Sequence, residues 1–237
     1  MFQMRIPNLG KNGIRVIAIL AIAALAAGCA GKYDYARPTI VPSSPENVKV
    51  IGKPRDAVLS TSLPKLSRRF RVIDTLDQSS GVINVNYNGN PEKYIDCGRI
   101  TSYVMDVRGE RTYDFPASRA WQSYEAMLPS TGLLKINRRM SLEGRVNLVF
   151  EDLGPNRTRV TVNTRYVVQL QINGRNANST SPPTLLDTTA SNPVGSSSFT
   201  ISFNSGGSSS FPPLSDGRAV ECVATGALEQ EILSFIR

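Results

Sequence analysis

The chain has 237 residues, of which 41% are hydrophobic and 19% are charged, and its formal net charge is +8. This length suits one domain of ordinary size and is too short for two large ones. The chain contains no histidine, which excludes Ser-His-Asp and Cys-His catalysis, histidine-ligated zinc and pH switching by histidine.

The N-terminus has the composition of an export signal. Arg5, Lys11 and Arg15 form a basic segment without acidic residues, and residues 16–27 form an apolar run. This run is too short to cross a hydrocarbon core of about 30 Å as a helix. We therefore predict a signal peptide over residues 1–28. Its removal takes away three positive charges, so the mature chain has a net charge of 8 − 3 = +5.

The signal ends in Leu25-Ala26-Ala27-Gly28-Cys29, which resembles the lipobox of bacterial lipoproteins. The resemblance implies cleavage before Cys29 and a diacylglycerol group on its thiol, and two or three lipid chains hold a protein stably on a membrane. Because Ala30 stands where some lipoproteins have aspartate, the resemblance favours the outer membrane, with the chain facing the periplasm. The alternative is an ordinary secretory signal in which Cys29 has no role.

Two further cysteines follow Cys29. Exported proteins meet an oxidising environment, so we predict a disulfide between Cys97 and Cys222. It would close a loop of 222 − 97 + 1 = 126 residues, for which chain entropy gives at most about 5 kcal/mol. The alternative is two separate buried thiols. A redox centre is disfavoured because the sequence has no CxxC motif.

Beyond the signal, the chain divides into a tether and one domain. Residues 29–53 contain three prolines among polar residues, which indicates a flexible tether. The domain covers residues 54–237. It is predicted to begin with a helix at Pro54 that Pro64 kinks or breaks.

Two strands are predicted to follow, over residues 70–73 and 81–87, with a turn over residues 74–80 between them. In the second strand the apolar and the polar side chains alternate. Its apolar face has Ile83, Val85 and Tyr87, and its polar face has Asn84 and Asn86.

The strongest pattern covers residues 142–172, where apolar and polar residues alternate on both sides of Gly154-Pro155-Asn156. This pattern predicts a long antiparallel hairpin with one solvated face. A register that pairs Glu151 with Arg159 also places Phe150 beside Val160, so charge and packing favour the same register.

Residues 173–215 are rich in Ser, Asn, Thr, Gly and Pro, and we predict a low-complexity, mostly disordered insertion with one short strand over residues 199–203. Long loops of this kind are sometimes functional. A strand over residues 218–224 and a helix over residues 226–237 are predicted to end the chain. The helix has an apolar stripe and a polar side. The stripe has Leu228, Ile232, Phe235 and Ile236, and the polar side has Glu229, Gln230 and Ser234.

These elements predict an α+β fold, an antiparallel β-sheet with an N-terminal and a C-terminal helix packed on one face. Residues 80–87, residues 91–98 and the run from Cys222 to Glu229 resemble an uncharacterised group of bacterial envelope lipoproteins. The order helix, strand, Ser-Gly turn and strand is similar to the helix-grip domains of the BamC lipoproteins of outer-membrane assembly. Neither resemblance implies a catalytic residue.

The sequence predicts no enzyme, no cofactor and no metal site, because it contains no Walker loop, nucleophile elbow or calcium-loop pattern. The predicted function is that of a non-enzymatic accessory or scaffold in envelope assembly or secretion, bound to the membrane through Cys29. The alternative is a lipoprotein that binds a small molecule, a glycan or a glycolipid between helix and sheet. No nucleic-acid partner is expected in this compartment.

The candidate binding residues are arginines on the solvated face of the hairpin. Arg145, Arg159 and Arg165 share that face, and Arg138 and Arg139 precede it, so the row suits an anionic partner or another envelope protein. The alternative is an ordinary charged surface. Trp121, Tyr124 and Met127 have the spacing of one helical face, and we interpret them as core or loop anchors rather than a sugar-binding platform.

Overall fold

Antiparallel strands make up most of the structure, which is a computed structural model. It describes residues 30–39, 47–70, 72–77, 80–128, 132–177, 195–212 and 219–237. The predicted signal peptide and Cys29 lie outside these described residues.

The described residues form strands, two α-helices and one short 3-10 helix. In chain order these are β1 (Ala30–Ala36), β2 (Val48–Ile51), α1 (Arg55–Arg69), β3 (Val72–Asp77), β4 (Val82–Gly89), the 3-10 helix η1 (Pro91–Lys93), β5 (Ile95–Asp96), β6 (Arg99–Asp106), β7 (Gly109–Pro116), β8 (Trp121–Leu128), β9 (Gly132–Asp152), β10 (Thr158–Asn176), β11 (Gly195–Asn204), β12 (Ser208–Ser210), β13 (Glu221–Ala224) and α2 (Ala227–Phe235).

The strands form three antiparallel sheets. The main sheet has the order β11-β10-β9-β4-β3, with β2 beside β10 and β8 beside β9. The second sheet has the order β1-β6-β7, and the small sheet has the order β12-β13-β5. The long strand β9 pairs with β8 along its first part and with β4 along its second part.

The predicted fold class is wrong. The chain is mostly antiparallel β-sheet and is not an α+β domain of one sheet with an N-terminal and a C-terminal helix on one face. The difference arises largely between residues 99 and 128, where β6, β7 and β8 lie and where the sequence pattern predicts no strands. Trp121, Tyr124 and Met127 lie in β8, so their interpretation as one helical face is also wrong.

The predicted hairpin is confirmed as β9 and β10. Glu151 pairs with Arg159 and Phe150 with Val160, which is the predicted register. Even-numbered side chains such as Leu148 and Val162 are fully buried, while the odd-numbered positions point to the opposite face, because side chains alternate along a strand.

The first elements of the domain differ from the prediction in two places. Pro64 does not end α1, which continues to Arg69; Leu66 is fully buried, and this packing holds the last turn although proline removes a helical hydrogen bond. Strand β3 extends to Asp77 into the predicted turn. In β4, Ile83 and Val85 are fully buried, as predicted.

The second sheet packs on β8 through aromatic side chains and hydrogen bonds. The ring centroid of Tyr124 lies 5.0 Å from that of Phe115 and 6.4 Å from that of Tyr33. Ser102 Oγ donates to the carbonyl of Glu125 at 2.6 Å, and Arg111 Nε donates to the Glu125 carboxylate at 2.8 Å. These contacts join the second sheet to the main sheet.

The terminal helix α2 packs against the hairpin. Leu228 and Ile232 are fully buried, and a Cβ on Gly144 of β9 would lie 2.9 Å from Leu228 Cδ2. Gly144 therefore allows the helix to approach the strand closely.

Glu229 is also fully buried, so its predicted place on the solvated side of the terminal helix is wrong. Its carboxylate accepts hydrogen bonds from the Tyr166 hydroxyl at 2.8 and 3.0 Å and from Ser205 Oγ at 2.6 Å. Burial, followed by the Glu229 charge, raises the pKa of Tyr166. A buried carboxylate is tolerated when several donors compensate its desolvation.

Part of the predicted insertion over residues 173–215 is sheet. Strand β10 continues to Asn176, and the predicted strand over residues 199–203 lies within β11. The short strand β12 follows it and pairs with β13. Residues 178–194 and 213–218 lie outside the described part of the chain.

Candidate functional site

The solvated face of the hairpin presents a band of side chains that are polar with the exception of Val167. In the register of β9 and β10, each odd-numbered residue of one strand lies directly opposite an odd-numbered residue of the other. We call this band the polar strip, and define it as Asn137, Arg139, Ser141, Glu143, Arg145 and Asn147 of β9 with Asn163, Arg165, Val167, Gln169, Gln171 and Asn173 of β10. At about 3.4 Å per residue, the strip is about 34 Å long.

A polar groove of about 430 Å³ lies at one end of the strip. Its lining residues are Asn47, Arg145, Asn147, Asn163, Thr164, Arg165, Asn204 and Ser205. The groove lies where β10 passes from its pairing with β2 to its pairing with β11. The two guanidinium groups are the formal charges in this lining, and Glu143 beside it pairs with Arg145. The groove therefore keeps one excess positive charge, which attracts anions.

Arg145 and Arg165 are direct neighbours across the hairpin. Arg145 Nε lies 2.7 Å from Glu143 Oε1, and Arg165 Nη2 donates to Ser202 Oγ at 3.3 Å. Like charges placed directly opposite on a sheet destabilise it; Glu143 compensates the charge of Arg145, and an anion bound here would compensate that of Arg165. Arginine binds carboxylate and phosphate groups through paired N–H donors.

A row of asparagines crosses the sheet beside the arginine pair. Asn84 of β4 pairs with Asn147, which pairs with Asn163. Asn147 Nδ2 donates to Asn84 Oδ1 at 2.8 Å, and Asn47 Nδ2 donates to Asn163 Oδ1 at 3.2 Å. A carboxamide has both donor and acceptor atoms. This row can therefore donate hydrogen bonds to the hydroxyl groups of a ligand and accept hydrogen bonds from them.

Arg159 lies apart from the other two predicted arginines. It is six residues from Arg165 along β10, which corresponds to about 20 Å, and its Nη1 lies 3.4 Å from Glu151 Oε2 in an ion pair whose side chains are about half exposed. The structure therefore brings Arg145 and Arg165 together and leaves Arg159 outside the groove.

The other end of the strip carries an exposed tryptophan. Trp121, the only tryptophan of the chain, is 59% exposed. It is paired with Arg139, which is in turn paired with Gln171. A cavity of about 270 Å³ lies here, lined by Trp121, Asn137, Arg138, Arg139, Gln171 and Asn173. An exposed aromatic ring among amide and guanidinium groups offers an apolar contact surface together with hydrogen-bond donors.

Arg138 does not belong to the predicted arginine row. Its side chain points into the core, is 1% exposed and donates from Nη1 to the carbonyl of Ala117. Burial lowers the pKa of Arg138, and the charges of Tyr124 and Tyr33 oppose this effect. Because β9 alternates, Arg139 is the one that faces the strip.

The Sγ atoms of Cys97 and Cys222 lie 2.03 Å apart, a distance compatible with the predicted disulfide. Both residues are fully buried. Cys222 lies in β13, which pairs with β5, and Cys97 directly follows β5. The bridge therefore joins two neighbouring strands of the small sheet.

The described residues contain neither a metal-ligand cluster nor a membrane-spanning helix. Within the described ranges there is no group of three or more His, Cys, Asp and Glu side chains placed to hold a metal ion. Among the helices described, none is long and apolar enough to cross a membrane.

The sequence analysis interpreted Trp121 as a core or loop anchor rather than part of a sugar-binding platform, and it did not identify the asparagine row as a candidate binding site. The alternation already places Asn84, Asn147 and Asn163 on polar faces of their strands. Their alignment into one row depends on the pairing of β4 with β9, residues 63 positions apart in the chain, which no local pattern reveals.

Comparison with known proteins found no matching family model, no matching curated protein and no matching solved structure.

Proposed function

We propose that the chain is a non-enzymatic lipoprotein of the bacterial cell envelope, anchored through lipidated Cys29 on the periplasmic side of the outer membrane. It acts as an accessory or scaffold in envelope assembly or secretion. The observation that carries this proposal is that polar binding groups line an open sheet face, while the space between the terminal helix and the sheet is filled.

The packing of α2 supports the scaffold over a ligand carrier. Leu228, Ile232 and Ile236 are fully buried, and Leu228 lies against Gly144. A helix-grip ligand site would need room at this position. In contrast, every residue of the polar strip is exposed or partly exposed in the described structure.

The predicted lipid anchor on Cys29 is tested in cells with the variant Cys29→Ser. Loss of palmitate labelling and release from the membrane fraction are expected, because without the thiol no diacylglycerol can be attached. The double variant Cys97→Ser/Cys222→Ser controls for the replacement of cysteines elsewhere in the chain and should keep the label. A Cys29→Ser protein that stays labelled and membrane-bound would contradict the anchor.

The partner is tested by site-specific photo-crosslinking in cells. One crosslinker replaces Arg145 in the groove, and a second replaces Val50, which is 50% exposed on β2. The same envelope protein captured repeatedly and identified by mass spectrometry supports the scaffold. No capture from either exposed position contradicts it.

A second candidate function is a lipoprotein that binds a glycan or glycolipid. The groove around Arg145 and Arg165 favours this candidate, since its lining combines guanidinium groups with carboxamides and hydroxyls. Capture of glycolipid or polysaccharide from position 145 would support this candidate against the scaffold.

A further inference from the structure

We propose that the polar strip binds an extended anionic polysaccharide, with Arg145 and Arg165 on its acidic groups and Trp121 against one of its sugar rings. This inference rests on the second candidate function and names both its ligand class and its site.

The separation of the two anchors requires a long ligand. The row of Trp121 and Arg139 is six residues along β9 from the row of Arg145 and Arg165, which corresponds to about 20 Å. A single small molecule cannot reach both, but an extended chain of several sugars can.

The net positive charge of the strip favours an anionic ligand. The strip contains three arginines, Arg139, Arg145 and Arg165, and one carboxylate, that of Glu143. It therefore has an excess of two positive charges. Arg145 and Arg165 are directly opposed. A carboxylate or phosphate group on the ligand can accept paired hydrogen bonds from them.

Apart from Glu143 and Val167, which pair across the hairpin, the middle of the strip has uncharged polar side chains. Ser141, Gln169 and Gln171 are exposed there, and amide and hydroxyl side chains both donate and accept hydrogen bonds. Sugar hydroxyls do the same, so a polysaccharide can form hydrogen bonds with these side chains.

Under the second candidate function, the strip suits a glycan because a sugar chain needs no central apolar cluster. Protein interfaces depend on a central cluster of buried aromatic and aliphatic side chains, whereas the single aromatic residue here stands at one end. Trp121 is 59% exposed, and the apolar C–H face of a sugar ring would bury its indole ring from water.

The test uses the full-length purified protein and polygalacturonate, a linear chain of acidic sugars. Because Trp121 is the only tryptophan, its fluorescence reports this site directly. We expect the emission to change on titration with polygalacturonate and the affinity to fall as salt is added. Fully methyl-esterified polygalacturonate, which has the same rings without charge, should bind at least ten-fold more weakly.

Two variants locate the site, with calorimetry as a readout that does not depend on tryptophan. Arg145→Gln/Arg165→Gln and Trp121→Ala should each weaken polygalacturonate binding at least five-fold. The matched control is Arg68→Gln/Arg157→Gln, which makes the same change of charge at exposed positions outside the strip and should stay within two-fold of wild type. Circular dichroism verifies that each variant is folded.

Three outcomes would overturn the inference: no binding of polygalacturonate, equal binding of the esterified polymer, or equal losses in the site and control variants. Polyglutamate that binds as tightly, with the same dependence on Arg145 and Arg165, would show an acidic protein partner and would also overturn it. If the Cys29 anchor and a protein crosslink persist without polysaccharide binding, this inference alone fails. If polysaccharide binds but the anchor is absent, the proposed function fails instead.

Discussion

Glu231 on the terminal helix allows a pH-dependent test of how the fold is held together. Its carboxylate lies 2.5 Å from Lys93 Nζ and 2.7 Å from Arg69 Nε, and it accepts a hydrogen bond from the Tyr94 hydroxyl at 2.7 Å. These donors come from α1 and from the 3-10 helix and the residue after it. The side chain of Glu231 is 17% exposed. One carboxylate therefore joins three elements of the fold.

The expected contribution follows from the pKa of Glu231. Burial raises this pKa, but the hydrogen bonds from Lys93, Tyr94 and Arg69 lower it further, from 4.5 to about 2. At about 1.4 kcal/mol per pH unit, the difference corresponds to about 3 kcal/mol. Lys93 and Arg69 are 55% and 43% exposed, so solvent screening reduces the expected value to about 1–2 kcal/mol.

Proton binding determines how the contribution of Glu231 to the free energy of unfolding changes with pH. Between pH 4.5 and pH 2 the unfolded chain binds a proton at Glu231 that the folded chain does not bind. The contribution is therefore complete above pH 4.5 and is lost as the pH falls toward 2.

The assay is urea unfolding of the wild type and of Glu231→Gln at pH 7, 4.5, 3 and 2. We expect the wild type to be more stable by about 1–2 kcal/mol at pH 7 and the difference to shrink steadily below pH 4.5. Glu151→Gln, which removes an exposed ion pair with Arg159, should change stability by less than about 0.5 kcal/mol at every pH. A Glu231→Gln difference that stays constant with pH would refute the reasoning.

Three further predictions concern stability. Cys97→Ser/Cys222→Ser should lower the free energy of unfolding by about 2–5 kcal/mol in urea titrations, and an unchanged midpoint would contradict the disulfide. Tyr166→Phe removes a donor to a fully buried carboxylate and should cost about 1.5–3 kcal/mol, whereas Tyr103→Phe at a partly exposed position should cost less than about 0.5 kcal/mol; equal losses in the same titration would show that the buried bond contributes nothing. Leu148→Ala should cost about 2–5 kcal/mol in chemical denaturation, and a loss below 1 kcal/mol would contradict its place in the core.

The hairpin was predictable because its pattern is local. Alternation assigns each residue of β9 and β10 to a face, and the pairing of Glu151 with Arg159 determines the register across a short turn. That register by itself brings Arg145 opposite Arg165, since both pairs lie on the same antiparallel ladder. Half of the candidate site therefore follows from the sequence pattern.

The other half of the site depends on contacts between distant segments. Trp121 reaches the strip because β8 pairs with the first part of β9, and Asn84 because β4 pairs with the second part. The spacing of Trp121, Tyr124 and Met127 predicts one face of a helix. In β8 the same residues fall on two faces, with Tyr124 buried and Trp121 exposed, because side chains alternate along a strand.

The sequence by itself determined the hairpin, its register and its polar face, because these depend on neighbours along the chain and on one tight turn. Only the tertiary structure decided the three-sheet fold, the burial of Arg138 and Glu229, and the convergence of Trp121 and the asparagines on one face. The physical reason is that strand pairing between remote segments and the satisfaction of buried polar groups depend on partners far away in the sequence, whose positions local patterns do not encode.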